Sequence, residues 1–231
     1  MAERSRGSAV TIVAIDGPSG GGKTTVARRL AERLGLPVLD TGAMYRAAAL
    51  KVLESGVDPD DRDAVVAVLE STDVDLRPAA GGALEVILDG RPVGERIRTP
   101  EVTAATSRVS AYPAVRRRQV ALQRRVAARR GAVVEGRDIG TVVFADTPHK
   151  FFLQARPEVR AGRRFRELAA AGAAVRRERV LAEILDRDRR DSGRRDSPLT
   201  CDDSYTVIDT DELSPDEIVE RMARSVLGRA G

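Results

Sequence analysis

Residues 10–16, VTIVAID, form an apolar run rich in β-branched residues that passes directly into a glycine-rich loop. A run of this kind predicts a buried strand of a parallel sheet. From Lys23 to Leu34 the apolar residues recur with helical spacing, and Gly35 marks the end of that helix. The order of strand, glycine loop and helix predicts an α/β fold.

The loop satisfies the pattern G-x-x-x-x-G-K-[ST] through Gly17, Gly22, Lys23 and Thr24. Its glycines allow consecutive backbone N–H groups to close around phosphate oxygens at a helix N-terminus. We therefore expect ATP and Mg²⁺ as cofactors, with Lys23 reaching the β and γ phosphates and the Thr24 hydroxyl binding the metal. The predicted nucleotide-binding residues are Gly17, Pro18, Ser19, Gly20, Gly21, Gly22, Lys23, Thr24 and Thr25. A glycine-rich turn without a ligand is the alternative, and the flanking strand and helix argue against it.

Strand and helix patterns alternate along the rest of the chain. Further strands are predicted at 37–40, 132–138, 149–155 and 204–210, and further helices at 41–56, 99–111, 113–130, 156–195 and 214–228. Between them, residues 74–93 contain short β-prone runs and the hairpin signal Asp89-Gly90. The sequence thus predicts a three-layer α/β sandwich with a five-stranded parallel sheet, a small inserted antiparallel β subdomain and a lid.

The amino-acid composition limits the classes of partner that the chain is expected to bind. Lys and Arg exceed Asp and Glu by 39 to 35, an excess that favours an anionic ligand. Nucleic acid is one such ligand, but single-strand binders interleave aromatic residues, and aromatics make up 3% of this chain, so we expect no nucleic-acid partner. The single cysteine, Cys201, excludes an intramolecular disulfide. With no signal peptide, membrane span or heptad pattern, we expect a cytoplasmic monomer whose residues 1–8 are disordered.

A kinase needs a second anion site opposite the loop, whereas a GTPase needs N-K-x-D and D-x-x-G stretches, which we do not find in the expected positions. Thr41, Tyr45 and Arg46 lie within about one helical turn in DTGAMYR, after the second strand. Arg137 and Asp138 close the next predicted strand in EGRDIGTVVF. Arginines that could act from a mobile lid lie at 160, 163 and 164, with Arg187 and Arg194 further along the chain.

Six segments together resemble the bacterial cytidylate kinases: IDGPSGGGKTT, LDTGAMYRAAAL, GERIRTPEV, EGRDIGTVVF, LAEILDRDRRDSGRRDSPL and VIDTDELSPDEIVE. The resemblance covers essentially the whole chain. It implies a fold of the P-loop kinase type and transfer of the γ-phosphoryl group of ATP to CMP or dCMP. Two positions depart from the common pattern: Thr41 stands where many members have Ser, and Glu135 stands where several have Asp.

The resemblance also implies roles for individual residues. Arg46 and Arg137 are expected to bind the acceptor phosphate, with Thr41 and Tyr45 in the same pocket. The expected cytosine-reading residues are Ser107, Arg116, Asp138 and Arg194, the sugar contact is Asp191, and Arg187 is a cation near the transferring phosphates. Together with Lys23 from the loop motif and Arg160 from the lid candidates, Arg137 and Arg187 complete the expected catalytic residues. The implied division is a core of 9–40, 105–155 and 176–231, a monophosphate-binding insert of 41–104 and a lid of 156–175.

Two other functions stay open on the residues alone. One is a P-loop kinase for a different monophosphate or for a metabolite hydroxyl. The other is a regulatory or nucleic-acid-binding protein that binds a nucleotide without transferring phosphate.

Overall fold

The computed structural model describes residues 10–79, 83–170 and 172–228. Its strands are β1 Ile12–Asp16, β2 Val38–Asp40, β3 Val74–Pro78, β4 Leu84–Leu88, β5 Arg91–Pro92, β6 Ala132–Glu135, β7 His149–Gln154 and β8 Thr206–Asp209. Its α-helices are α1 Lys23–Leu34, α2 Thr41–Glu54, α3 Arg62–Glu70, α4 Pro100–Val109, α5 Pro113–Arg130, α6 Pro157–Ala170, α7 Arg177–Ser192 and α8 Pro215–Val226. A 3₁₀-helix covers Gly94–Arg98, and a π-helical turn covers Ile139–Val143.

The central sheet has five strands in the order β2-β6-β1-β7-β8, and every pairing is parallel. One hydrophobic cluster joins one face of the sheet to α2, α4 and α5, and a second joins the other face to α1 and α8. The predicted three-layer sandwich with a parallel five-stranded sheet is confirmed. Because parallel strands end at the same edge, the residues that follow β1, β2 and β6 are brought together there.

The predicted antiparallel meander is also confirmed, as the sheet β3-β4-β5. Its second hairpin turns at Asp89 and Gly90, whose φ angles of 47° and 78° are those of the left-handed region. Gly81 and Gly82, where the first turn of the meander was predicted, lie outside the described residues, as do residues 1–8.

One predicted boundary is wrong. Strand β6 ends at Glu135 rather than at Asp138, since the chain bends over residues 136–138 before the π-helical turn. The segment 156–195, predicted to be helical, contains two helices, α6 and α7. Gly172 between them has a φ of 78°, which glycine adopts without steric cost.

The helix α3 was not predicted, although Asp61 caps it by accepting a hydrogen bond from the Ala64 N–H. The predicted capping box of α8, formed by Ser214 and Glu217, is confirmed. Among the helices of the described ranges, none has the length and apolarity that crossing a bilayer requires.

Candidate active site

The phosphate loop, residues 17–24, leaves the end of β1 and opens α1. Gly17 has a φ of 144°, and a Cβ atom there would lie 2.2 Å from the carbonyl oxygen of Leu153. Gly20 has a φ of 74° and packs so closely on α6 that a Cβ would lie 3.2 Å from both the Cβ and the carbonyl oxygen of Arg160. The loop therefore needs glycine for its backbone path, and it presents the N-terminus of α1 to an anion.

Lys23 is held inside this loop. Its Nζ donates to the carbonyl oxygens of Gly17 and Pro18, both at 2.7 Å, and the side chain is 7% exposed. Burial, followed by the positive charges of Arg137 and Arg187, lowers the pKa of Lys23 well below its ordinary value. Crowded positive charge of this kind is relieved when an anion binds.

Thr24 and Glu135 join the loop to the end of β6. The Thr24 hydroxyl donates to Glu135 Oε2 at 3.0 Å. Glu135 is 5% exposed, and burial followed by the charge of Asp40 raises its pKa to about 7. Its Oε1 is buried and has no hydrogen-bond partner among the described residues. A hydroxyl beside a carboxylate with an unused oxygen is a donor set that fits Mg²⁺, which prefers oxygen ligands.

Residues at the N-terminal end of α2, where the acceptor site is expected, lie at the same edge of the sheet. Asp40 caps α2 by accepting from the Ala43 N–H at 2.8 Å, and it pairs with Arg46 at 3.2 Å. Thr41 donates its hydroxyl hydrogen to the Glu135 carbonyl oxygen at 2.7 Å. The Nε of Arg46 is buried without a partner among the described residues. Arg46 therefore keeps a donor that a ligand can use.

Arg116 and Asp138 form a second polar unit, buried beside Tyr45. Arg116 of α5 pairs with Asp138, and both side chains are almost fully buried, at 5% and 6% exposure. The Arg116 Cζ lies 5.3 Å from the centroid of the Tyr45 ring, in a cation–π contact. Burial raises the pKa of Tyr45 to about 12, so the phenol stays protonated. Arg116 also donates to the carbonyl oxygen of Ser110, one helical turn beyond half-buried Ser107.

Three arginines converge on one buried carboxylate, and we call them the arginine cluster: Arg137, Arg187 and Arg194. Asp191 accepts from Arg137 at 2.8 Å and from Arg194 at 2.5 Å, and it lies 3.9 Å from Arg187. Burial, and after it the charge of Arg137, lowers the pKa of Arg187 to about 10. The cluster has three positive charges and one negative charge, so its net charge is positive. Arg137 and Arg187 lie close enough to the phosphate loop to lower the pKa of Lys23. Asp191, the expected sugar contact, thus already accepts hydrogen bonds from Arg137 and Arg194.

Arg160 differs from the other predicted phosphate ligands. Its Nε donates to Ala155 O and its Nη1 to Ser19 O, both at 2.9 Å, while its Nη2 pairs with Asp188 at 2.6 Å. Its side chain is 4% exposed. The remaining predicted lid arginines lie further out: Arg163 donates to Thr210, and Arg164 pairs with Glu167 on the same helix.

The sequence reasoning missed a buried contact between Asp16 and the π-helical turn. The Asp16 carboxylate accepts from the N–H groups of Ile139 and Gly140 at 3.0 and 2.8 Å and from the Tyr205 hydroxyl at 2.7 Å. Asp16 directly precedes the phosphate loop, and Ile139 directly follows Asp138. This contact therefore fixes the start of the π-helical turn against the residue that precedes the phosphate loop. The only local signal was a carboxylate at the end of an apolar strand.

Comparison with known proteins agrees with this geometry. A family model described as cytidylate kinase matches residues 13–227. A cytidylate kinase of Caldanaerobacter subterraneus subsp. tengcongensis is 46% identical over 214 residues, which are 93% of each chain. One of Corynebacterium glutamicum is 48% identical over 216 residues, covering 93% of this chain and 94% of that one. A solved structure of an uncharacterized protein from Eubacterium ventriosum is similar in fold, with a TM-score of 0.50 and 13% identity over 95% of this chain and 99% of its own. Because the family model spans almost the whole described chain, the chain belongs to the cytidylate kinase family.

Proposed function

We propose that Lys23, Arg137 and Arg187 stabilise the phosphoryl group that this enzyme moves from ATP to CMP or dCMP. As a member of the cytidylate kinase family, the chain is an ATP-dependent kinase that forms ADP and CDP or dCDP. The observation that carries the residue assignment is the arginine cluster, in which three cations share one carboxylate beside the phosphate loop. A surplus of buried positive charge is suited to two nucleotides whose phosphates meet there.

The chain supplies position and charge rather than a covalent intermediate. A transferring phosphoryl group spreads negative charge over its equatorial oxygens, and fixed cations stabilise that charge without rearranging. Lys23 would act from the donor side and Arg137 from the acceptor side, while Arg46 would hold the acceptor phosphate through its free Nε. The acceptor phosphate is already ionised at neutral pH, so alignment can replace a general base.

Thr24 and Glu135 are the residues that would hold Mg²⁺, together with phosphate oxygens of the nucleotide. When bound, the ion neutralises charge on the β and γ phosphates. Glu135 would contribute the carboxylate oxygen that has no protein partner.

Base recognition is assigned to Asp138 and Arg116, with Ser107, Tyr45 and Thr41 lining the pocket. Cytosine offers an N4 amino donor together with acceptors at N3 and O2, which match a carboxylate and a guanidinium. Uracil would place O4 against the buried Asp138 carboxylate, so an acceptor would face an acceptor. Asp191 and Arg194 would contact the sugar and base after the arginine cluster rearranges around the nucleotides.

We further propose that residues 41–104 and 156–175 act as insert and lid, with the lid hinged at its start, where Arg160 stays bonded to the core, since closure would exclude water that competes for the phosphoryl group. The large apolar residues exposed within the described ranges are scattered, at Val10, Leu185, Val207 and Leu227, and this supports action as a monomer. We also propose that the enzyme acts in the cytoplasm.

The test is ADP release with ATP and Mg²⁺, offering CMP, dCMP, UMP, AMP, GMP and dTMP in turn. We expect turnover mainly with CMP and dCMP, and for Lys23→Ala a turnover at least about 10²–10³-fold lower under the same conditions. Turnover confined to another monophosphate would overturn the base-reading residues. Turnover with none of them would overturn the assignment of the acceptor pocket.

A further inference from the structure

We propose that Arg160 and Asp188 are positioning residues, which join the phosphate loop to α7 and so align the arginine cluster with the donor nucleotide. The proposal rests on the proposed function, in which Arg187 and Arg194 act on the phosphates. It changes the role of Arg160 from a lid arginine that acts directly on the phosphates, the role expected from the sequence, to a residue that acts through others.

Every nitrogen of the Arg160 guanidinium has a protein partner. Nε, Nη1 and Nη2 each have one between 2.6 and 2.9 Å, and those partners lie in three separate parts of the chain. Ala155 follows β7, Ser19 lies in the phosphate loop, and Asp188 lies on α7. A planar guanidinium that is 4% exposed and bonded through all three nitrogens holds its partners at fixed distances from one another.

The phosphate loop cannot shift independently of this arginine. Gly20 packs so closely on the start of α6 that even a methyl group would lie 3.2 Å from the Cβ and carbonyl oxygen of Arg160. The Arg160 hydrogen bond to the carbonyl oxygen of Ser19 holds the residue next to Gly20. Loop conformation is therefore transmitted to Arg160 both by contact and by hydrogen bonding.

Asp188 transmits that position to the arginine cluster. It directly follows Arg187 on α7 and precedes Asp191 by three residues, less than one helical turn. The apolar contact between α6 and α7 reaches α7 at Val180, Leu181 and Ile184, all in its N-terminal half. The C-terminal half of α7 is held by polar contacts, among them the Arg160–Asp188 ion pair and the pairing of Asp191 with Arg137. An error of about 1 Å in such an arginine is enough to slow a reaction about 100-fold.

A double-mutant cycle separates positioning from direct binding. We expect Arg160→Lys and Asp188→Asn each to lower kcat for CMP about 10–100-fold, with KM for ATP and CMP changed less than about threefold, since the loss is in the transition state. The double variant should lie within about threefold of the slower single variant, because both changes break one link. Asp188→Glu should recover part of the rate. The matched controls are Arg166→Lys on α6 and Asp186→Asn on α7, both exposed, and they should behave like the wild type.

A direct phosphate ligand would give a different pattern. In that case Asp188→Asn would keep the wild-type kcat, Arg160→Lys would raise KM for ATP, and the two effects would add. Either that pattern, or wild-type kinetics in both single variants, overturns the proposal.

Hydrogen exchange with a non-hydrolysable ATP analogue tests the link without using an acceptor. We expect the analogue to slow exchange over residues 177–192 in the wild type and in Asp186→Asn, but not in Asp188→Asn. No slowing in the wild type refutes the coupling, whatever the enzyme phosphorylates. If CMP is not turned over but the slowing is present, the proposed function fails while the link stands. Thermal unfolding of each variant establishes that the measured protein is folded.

Discussion

Replacing Asp191 with Asn tests whether this carboxylate holds the arginine cluster together. Asp191 is 2% exposed and accepts from Arg137 and Arg194, while Arg187 lies at 3.9 Å. Removing one partner of a buried ion pair costs about 3–5 kcal/mol. The side chains of the three arginines are 14–32% exposed, so water can solvate part of their charge. We therefore expect the free energy of unfolding to fall by about 2–3 kcal/mol. For a chain of this size that corresponds to a fall in Tm of about 4–12 °C.

Thermal and urea unfolding measure this change, with Asp186→Asn as the matched control. Asp186 lies on the same helix, and its pairs with Arg189 and Arg190 are exposed, so its replacement should cost no more than about 1 kcal/mol. Sulfate should raise the Tm of Asp191→Asn more than that of the wild type, because an anion replaces the lost charge. Equal losses for the two Asn variants, or no difference in the response to sulfate, would refute the idea that Asp191 balances the cluster.

The loss of stability in Asp191→Asn should also depend on pH. Burial acts to raise the pKa of Asp191, but Arg137, Arg194 and Arg187 more than offset this, so the folded-state pKa lies below the ordinary value. A carboxyl group with a lowered pKa contributes stability at pH values above its unfolded pKa, and that contribution is lost as the pH falls through the folded-state pKa. The stability difference between the wild type and Asp191→Asn should therefore be constant near neutrality and should shrink in acid. A difference that grows as the pH falls would contradict the ion-pair assignment.

Three further changes test other parts of the structure. Lys23→Ala should lower kcat by at least about 10²–10³-fold with an unchanged circular-dichroism spectrum, and near-normal turnover would remove Lys23 from the mechanism. Asp138→Asn should lower the ratio of kcat/KM for CMP to that for UMP by about 10-fold or more, since the amide can donate to O4, and an unchanged ratio would show that the base is read elsewhere. Ser214→Ala removes the α8 capping box and should cost about 1 kcal/mol in urea unfolding without affecting turnover, whereas altered turnover would show that α8 influences the site.

The parts of the fold that the sequence predicted are those with local signals. The strand, loop and helix around residues 10–34 have an apolar run, three glycines in special conformations and helical spacing, each readable within a few positions. The contact between Asp16 and Tyr205 joins residues 189 positions apart and has no such signal. The π-helical turn at Ile139–Val143 was missed for a related reason: its first N–H groups are satisfied by Asp16, which is distant in sequence.

The arginines show most clearly where sequence reasoning stops. Arg160 and Arg164 lie four positions apart in one basic segment, yet one is 4% exposed and joins three parts of the chain, while the other is 49% exposed and pairs with its own helix. The stretch DRDRRDSGRRD likewise offers several equivalent Asp–Arg pairs, and only the tertiary fold selects Asp188 for Arg160.

What separates the roles of these arginines is the number of nitrogens left unpaired. Arg46 and Arg116 each keep a buried Nε without a partner among the described residues. A buried donor without a partner costs free energy, and a ligand that accepts a hydrogen bond from it removes that cost. Arg160 has a protein partner on every nitrogen, so only the second N–H of Nη1 and of Nη2 is left for a phosphate. A guanidinium with an unpaired nitrogen is thus poised to bind substrate, and one that is paired at every nitrogen is suited to positioning. The double-mutant cycle on Arg160 and Asp188 tests this distinction, because two changes that break one shared link give non-additive losses in kcat with little change in KM.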